Sequence, residues 1–236
     1  MTDDEAGETG RGRPDPDTDE GPDPHADQPV VTAGAPSMAA EVAVVLVHGR
    51  GATADGVVNL AESFYRHGVA FFAPQASRSR WFPYDARGAV ERNEPHLSSA
   101  VDAVERVLAA VEDSGIPPEK TVLFGFSQGA AVVTELLRRD PRRLGGVVVL
   151  SGGFVGPDGR AAPRPDTDGS LAGTPVFVGS GDADEYVPVG RVRATADLFR
   201  ALDGDLTERL YAGLEHGINE AEFGVVRELL DDLLET

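Results

Sequence analysis

Cysteine is absent from the 236 residues, which excludes disulfides, thiolate catalysis and Cys-ligated metals. Lysine is almost absent. Lys120 is the only one, and every other basic residue is arginine. No apolar run approaches the roughly 18 residues that a membrane span needs, and no signal-peptide arrangement opens the chain. The expectation is a cytoplasmic soluble protein. Positive charge is scarce as well, with 21 basic against 40 acidic residues and a formal charge of −19. Such a surface repels phosphate backbones, so nucleic-acid binding is not expected.

What is present falls into two parts. Residues 1–38 are rich in Asp, Glu, Pro, Gly and Thr, carry ten acidic and two basic residues, and hold little apolar content. They read as a disordered tail, because too little surface can be buried to offset chain entropy. His25 within it reads as solvated and idle. Residues 39–236 read as one domain, since 41% hydrophobic content supplies a sizeable core. Strands are expected over 42–47, 69–73, 121–124, 146–150, 175–179 and 205–211. Helices are expected over 56–67, 95–112 (with Asn93 as N-cap), 130–139, 191–202 and 221–234. The Gly/Pro/Asp-rich stretch 152–173 reads as a long functional loop. Near-continuous apolar strands alternating with amphipathic helices imply a mostly parallel sheet covered on both faces.

The most informative stretch is Gly125-Phe126-Ser127-Gln128-Gly129. It has the G-x-S-x-G form of a nucleophile elbow, and it sits between a short apolar strand and a helix, as an elbow must. A serine on such a turn needs a strained backbone, and flanking glycines let strand and helix close around it. The following helix N-terminus favours negative charge beside the hydroxyl.

A nucleophilic hydroxyl needs a base, the base an orienting carboxylate, and the oxyanion a pair of donors. His216 is the only histidine after Ser127, in a glycine-flanked loop after the last strand, and is the candidate base. Asp182 and Asp184 are both candidate orienters. Asp184 is favoured because it lies at the turn before the next helix. The backbone N–H of Gln128 is one candidate oxyanion donor, and that of Arg50 the other, with Gly51 as its alternative. The same loop matches a dinucleotide fingerprint, Gly49-Arg50-Gly51-Ala52-Thr53-Ala54. That reading expects an acidic residue at the end of the second strand, where Val69-Ala70-Phe71-Phe72-Ala73-Pro74 has none. His48 reads as a loop-shaping residue bonded locally. His67 and His96 have no cluster around them, and no metal site or cofactor is expected. Trp81, Phe82, Tyr84, Phe154 and Tyr186 are loop aromatics suited to line an acyl pocket.

With these residues in view, the chain resembles the phospholipase/carboxylesterase family of small α/β-hydrolases, which includes acyl-protein thioesterases. The resemblance covers roughly residues 42–234. It rests on Val47-His48-Gly49-Arg50-Gly51, Ala73-Pro74, Trp81-Phe82-Pro83, the elbow, Leu150-Ser151-Gly152-Gly153 and Gly213-Leu214-Glu215-His216. It implies the α/β-hydrolase fold, with Ser127 as nucleophile, Asp184 as orienter, His216 as base, and the backbone at Arg50 and Gln128 as oxyanion hole. Two departures stand out. Family members often carry an apolar residue at the position of Arg50, which argues against a long acyl chain here, and often Pro where this chain has Glu185.

The expected activity is a serine carboxylesterase acting on a small-molecule ester or thioester. A lysophospholipase or thioesterase activity, and a non-catalytic ligand receptor on the same fold, are the alternatives. A homodimer is a candidate assembly, with the oligomeric state left open by the sequence. The acid-rich, lysine-poor composition fits either a salt-adapted surface or a GC-rich genome with an acidic tail. Salt adaptation predicts an unfolding midpoint that rises in molar salt, and a midpoint indifferent to salt would refute it.

Overall fold

Val42–Val47 is apolar and buried at all six positions, so both of its faces must be covered. A computed structural model, which describes residues 21–162 and 164–236, shows how. Strands β1 (Val30–Gly34), β2 (Val42–Val47), β3 (Val69–Pro74), β4 (Thr121–Phe126), β5 (Gly146–Leu150), β6 (Pro175–Gly181) and β7 (Asp205–Tyr211) form one sheet. Its order is β1-β3-β2-β4-β5-β6-β7, parallel throughout except for antiparallel β1 at one edge. Helices α1 (Ala54–Ala61), α2 (His96–Asp113), α3 (Gln128–Arg139), α4 (Val189–Ala201) and α5 (Glu220–Glu235) cover it.

The period-2 alternation of β2 divides the core. Ala43, Val45 and Val47 pack with side chains of α2, α3 and α4. Val42, Val44 and Leu46 pack with those of α1 and α5. Each fully buried Val or Leu contributes about 1.5–3 kcal/mol of transfer free energy, so this strand anchors both layers. The edge strands β1 and β7 alternate in exposure instead, with one side of each facing water. Among the described residues no helix is long and apolar enough to cross a membrane.

Several element boundaries differ from the expected ones. The first helix starts two residues early because Thr53 caps it, its Oγ1 accepting from the Gly56 N–H at 3.1 Å. It then tightens into a 3₁₀ turn over Glu62–Phe64, which inserts Phe64 against Phe124 and Phe223. Asn93 does not cap α2. It is fully buried, and its Oδ1 accepts from the Tyr84 N–H at 2.9 Å. Pro95 occupies the cap position instead, and the Glu94 carboxylate accepts from the Ser98 N–H at 3.0 Å.

The larger correction concerns the N-terminal segment. Residues 1–20 lie outside the described residues, but residues 21–38 are not a structureless tail. Val30–Gly34 forms β1, paired residue for residue with β3 from Pro74 to Ala70. His25 is buried to 2% exposure rather than solvated. Its Nδ1 accepts from the Ser77 N–H at 3.0 Å, so Nε2 carries the proton and donates to the Trp81 carbonyl at 2.9 Å. Its own N–H donates to Ser99 Oγ, which in turn donates to Asp23. Composition argued for disorder, but a few buried polar groups and a strand pairing outweigh it.

Helix α5 opens with a reciprocal cap. Asn219 Oδ1 accepts from the Glu222 N–H at 3.0 Å, and Glu222 Oε2 accepts from the Asn219 N–H at 2.9 Å. Glu222 is fully buried, and its Oε1 has no hydrogen-bond partner among the described residues. Desolvation pushes this carboxyl up to about 7, opposed by the cap hydrogen bond.

Two outcomes follow from these contacts. His25→Ala removes a doubly bonded buried side chain and should cost about 1–3 kcal/mol, lowering Tm by several degrees; an unchanged Tm would restore the solvated reading. For Glu222 the folded value lies above the unfolded 4.5, so its stabilising contribution is present at lower pH and is lost as pH rises through about 7. Wild type should therefore lose stability relative to Glu222→Gln across that window, by on the order of 2 kcal/mol. A gap in Tm independent of pH would refute this.

Candidate active site

A parallel sheet delivers the C-terminal ends of its strands, and the loops after them, to one edge. The loops after β2, β4, β5, β6 and β7 carry Gly49–Gly51, Ser127, Ser151–Gly153, Asp182–Val187 and Gly213–His216 respectively. Ser127 sits between β4 and α3 with φ 55° and ψ −117°, a left-handed conformation that a serine adopts only under strain. The glycines beside it serve close approach. A Cβ on Gly129 would lie 2.0 Å from the Val47 carbonyl oxygen, and one on Gly125 2.7 Å from the Ala130 backbone. Gly152, from the neighbouring strand end, would meet the Ser127 carbonyl oxygen at 2.5 Å.

Ser127 Oγ and His216 Nε2 lie 2.9 Å apart, and His216 Nδ1 lies 2.8 Å from Asp184 Oδ2. A carboxylate can only accept, so Nδ1 carries the ring proton and Nε2 is left to accept from the serine hydroxyl. The other oxygen, Asp184 Oδ1, accepts from the N–H groups of Tyr186 and Val187 at 2.9 and 3.0 Å. That double bond fixes the carboxylate, whose side chain is fully buried. Asp182 points elsewhere. Its Oδ1 accepts from the Gly213 N–H at 2.7 Å, and its own N–H donates to the Tyr211 carbonyl. It holds the loop that carries His216, which is why the sequence left both aspartates open. The His216 ring packs between Phe126 and Tyr186 at centroid distances of 5.2 and 5.0 Å.

The Gly51 N–H donates to the Ser79 carbonyl at 2.7 Å and is already engaged. The N–H groups of Arg50 and Gln128 have no acceptor among the described residues, and both residues line the cleft that contains Ser127. This cleft has a volume of about 360 Å³. Of the aromatics expected around it, Phe82, Tyr84 and Tyr186 line it. Trp81 and Phe154 do not. Trp81 is fully buried behind the wall, donating from Nε1 to the His48 carbonyl at 2.8 Å, and Phe154 packs under the Arg191 guanidinium. An indole with its N–H satisfied internally has no reason to face a cleft.

His48 behaves as expected. Its Nε2 accepts from the Ala76 N–H at 3.1 Å and its Nδ1 donates to the Gly49 carbonyl at 2.8 Å. Burial lowers its pKa against that second bond, which favours the neutral ring. Three positioning residues were not foreseen. The Gln128 amide takes the Trp81 N–H at 2.8 Å and donates to the Phe82 carbonyl at 2.8 Å. Asn93 holds Tyr84, and the Arg50 guanidinium donates to the carbonyls of Phe82 and Pro83 at 2.7 and 2.6 Å. All three fix the irregular wall 81–84. The sequence singles out all three positions, but for other roles: Gln128 and Arg50 for their backbone N–H groups and Asn93 as a helix cap.

Comparison with known proteins bears on the family and the fold. The acyl-protein thioesterase 1 of Gibberella zeae is 28% identical over 208 residues, covering 79% of this chain and 88% of that protein. A shorter match to the acyl-protein thioesterase 1 of Debaryomyces hansenii is 32% identical over 125 residues and spans 53% of that protein. A crystal structure of a phospholipase/carboxylesterase from Dyadobacter fermentans superposes with a TM-score of 0.81 at 33% identity, covering 86% of this chain and 96% of that one. The family model described as Phospholipase/Carboxylesterase matches residues 27–234, so its match begins within the segment that composition alone assigned to the tail. With an α/β-hydrolase sheet and that match over most of its length, the chain belongs to the phospholipase/carboxylesterase family and is an ester-bond hydrolase.

Proposed function

We propose that this protein is a serine carboxylesterase that works by two-step acyl transfer to water. The observation that carries the reading is the continuous chain from Ser127 through His216 to Asp184, with hydrogen bonds of 2.9 and 2.8 Å. Ser127 Oγ attacks the ester carbonyl as its proton passes to His216 Nε2. The tetrahedral oxyanion is held by the N–H groups of Arg50 and Gln128, the second with the N-terminal end of α3 behind it. The intermediate then collapses. The C–O bond, or C–S bond in a thioester, breaks, and the leaving group takes the proton from His216. Water adds to the acyl-enzyme by the same route, giving up its proton to His216, and the acid departs as Ser127 is restored. Asp184 orients the imidazole and stabilises the imidazolium that forms in each half-reaction.

The relatives named as thioesterases support thioesters as a further substrate class for the same steps. The cysteine-free composition is compatible with work in the cytoplasm on a small-molecule ester.

Ser127→Ala should abolish hydrolysis of p-nitrophenyl esters and labelling by a fluorophosphonate probe. Asp184→Asn should lower kcat by about 10³–10⁴-fold, as loss of an orienting carboxylate does. Asp182→Asn keeps a side-chain oxygen for the Gly213 N–H and should stay within about tenfold of wild type. Equal losses at the two aspartates would overturn the assignment of their roles.

A further inference from the structure

The charge of the cleft runs against that of the chain. The whole carries −19, yet Arg50, Arg87 and Arg191 line the cleft against a single acid, Asp85. Two of these arginines are committed. Arg87 donates from Nε and Nη2 to Asp85. Arg191 is buried and bonded to Asp158 and to the carbonyls of Phe154 and Gly156.

Arg50 is different. Only its Nη2 is engaged, and only by backbone carbonyls. Its Nε and Nη1 have no acceptor, and no carboxylate lies within 4 Å, among the described residues. Burial and the nearby Arg80 lower its pKa, with Asp85 opposing, so the surroundings disfavour the charge they contain. A clamp on the wall does not require that charge. The Gln128 amide already holds the Phe82 carbonyl with a neutral donor at 2.8 Å. With Nη2 taken by the wall carbonyls, Nε and Nη1 keep N–H groups to offer singly, and a charged donor on the loop beside the nucleophile suits an anionic acceptor such as a carboxylate. One uncommitted cation balances one negative charge.

We infer that the ester hydrolysed here carries a carboxylate, bound in the cleft by the open N–H groups at Nε or Nη1 of Arg50. This rests on the serine-esterase reading and names its substrate class. The carboxylate belongs either to the acyl part or to the leaving group, and the two sources are separable by assay.

The test measures kcat/KM by pH-stat titration for two matched pairs. Monomethyl adipate against methyl hexanoate places the charge on the acyl side. The butyryl ester of 3-hydroxybenzoate against phenyl butyrate places it on the leaving group. Wild type should prefer the anionic member of one pair, and Arg50→Met should lower that preference by about tenfold to a hundredfold. Arg50→Lys should retain part of it. The anionic-to-neutral ratio is the decisive readout, since loss of a wall clamp alone lowers both members together. A wild-type enzyme that favours the neutral member of both pairs, or a ratio unmoved in Arg50→Met, overturns the inference while Ser127-dependent hydrolysis stands. Hydrolysis that survives Ser127→Ala overturns the serine-esterase reading and the inference with it.

Discussion

Everything at the candidate site depends on the close approach of α3 to the ends of β2 and β4. The helix can begin one residue after Ser127 only because Gly129 lies against the Val47 carbonyl with no room for a Cβ. Beside that contact Ser127 has a positive φ, a cost of about 1–3 kcal/mol that the buried strands on either side must offset. The same packing brings Gln128 to the wall of the cleft. Backbone strain at Ser127 and support of the cleft wall thus meet at the start of one helix.

A second theme is how an irregular segment is held rigid. Residues 77–93 contain only two short 3₁₀ turns, yet they form one side of the cleft. Their backbone groups are bonded by side chains from far along the chain, His25, Arg50 and Gln128, and by Asn93 from within the segment itself. In a strand the ladder would supply these partners, and here buried polar side chains do so instead. Each such bond contributes modestly, but a backbone group left without one would carry the full desolvation cost. Rigidity without regular structure comes from that asymmetry.

The sheet and the reactive constellation were largely legible in the sequence. β2 and β5 have the expected bounds because each is a near-continuous apolar run, and β7 has them through its period-2 alternation. Ser127 and His216 follow from a motif and from elimination, and the structure brings them together with Asp184. What escaped was of two kinds. Helix limits such as those of α1 depend on caps and on where Phe64 finds its aromatic neighbours, which is tertiary information. His25 and Asn93 were misjudged because a polar residue in a polar stretch reads as solvated, and only its long-range partners say otherwise. Trp81 and Phe154 failed in the opposite sense: aromatic residues in loops drew attention toward the cleft, whereas packing and an internal hydrogen bond turned them away.

The pairing of β1 with β3 bears on what the sheet leaves open to other chains. β3 carries Phe71 and Phe72, and β1 covers its outer hydrogen-bonding edge from Ala70 to Pro74. Without that cover, an aromatic, flat run would stand at the margin of the sheet with its N–H and C=O groups open to another chain. β1 itself is a gentler margin: five residues long, alternating in exposure, and closed by Gly34, whose positive φ turns the chain away. The segment that composition assigns to a disordered tail therefore covers an edge that would otherwise be open to edge-to-edge pairing. A shortened chain starting at residue 39 would keep Ser127, Asp184 and His216 and lose the strand that covers the β3 edge.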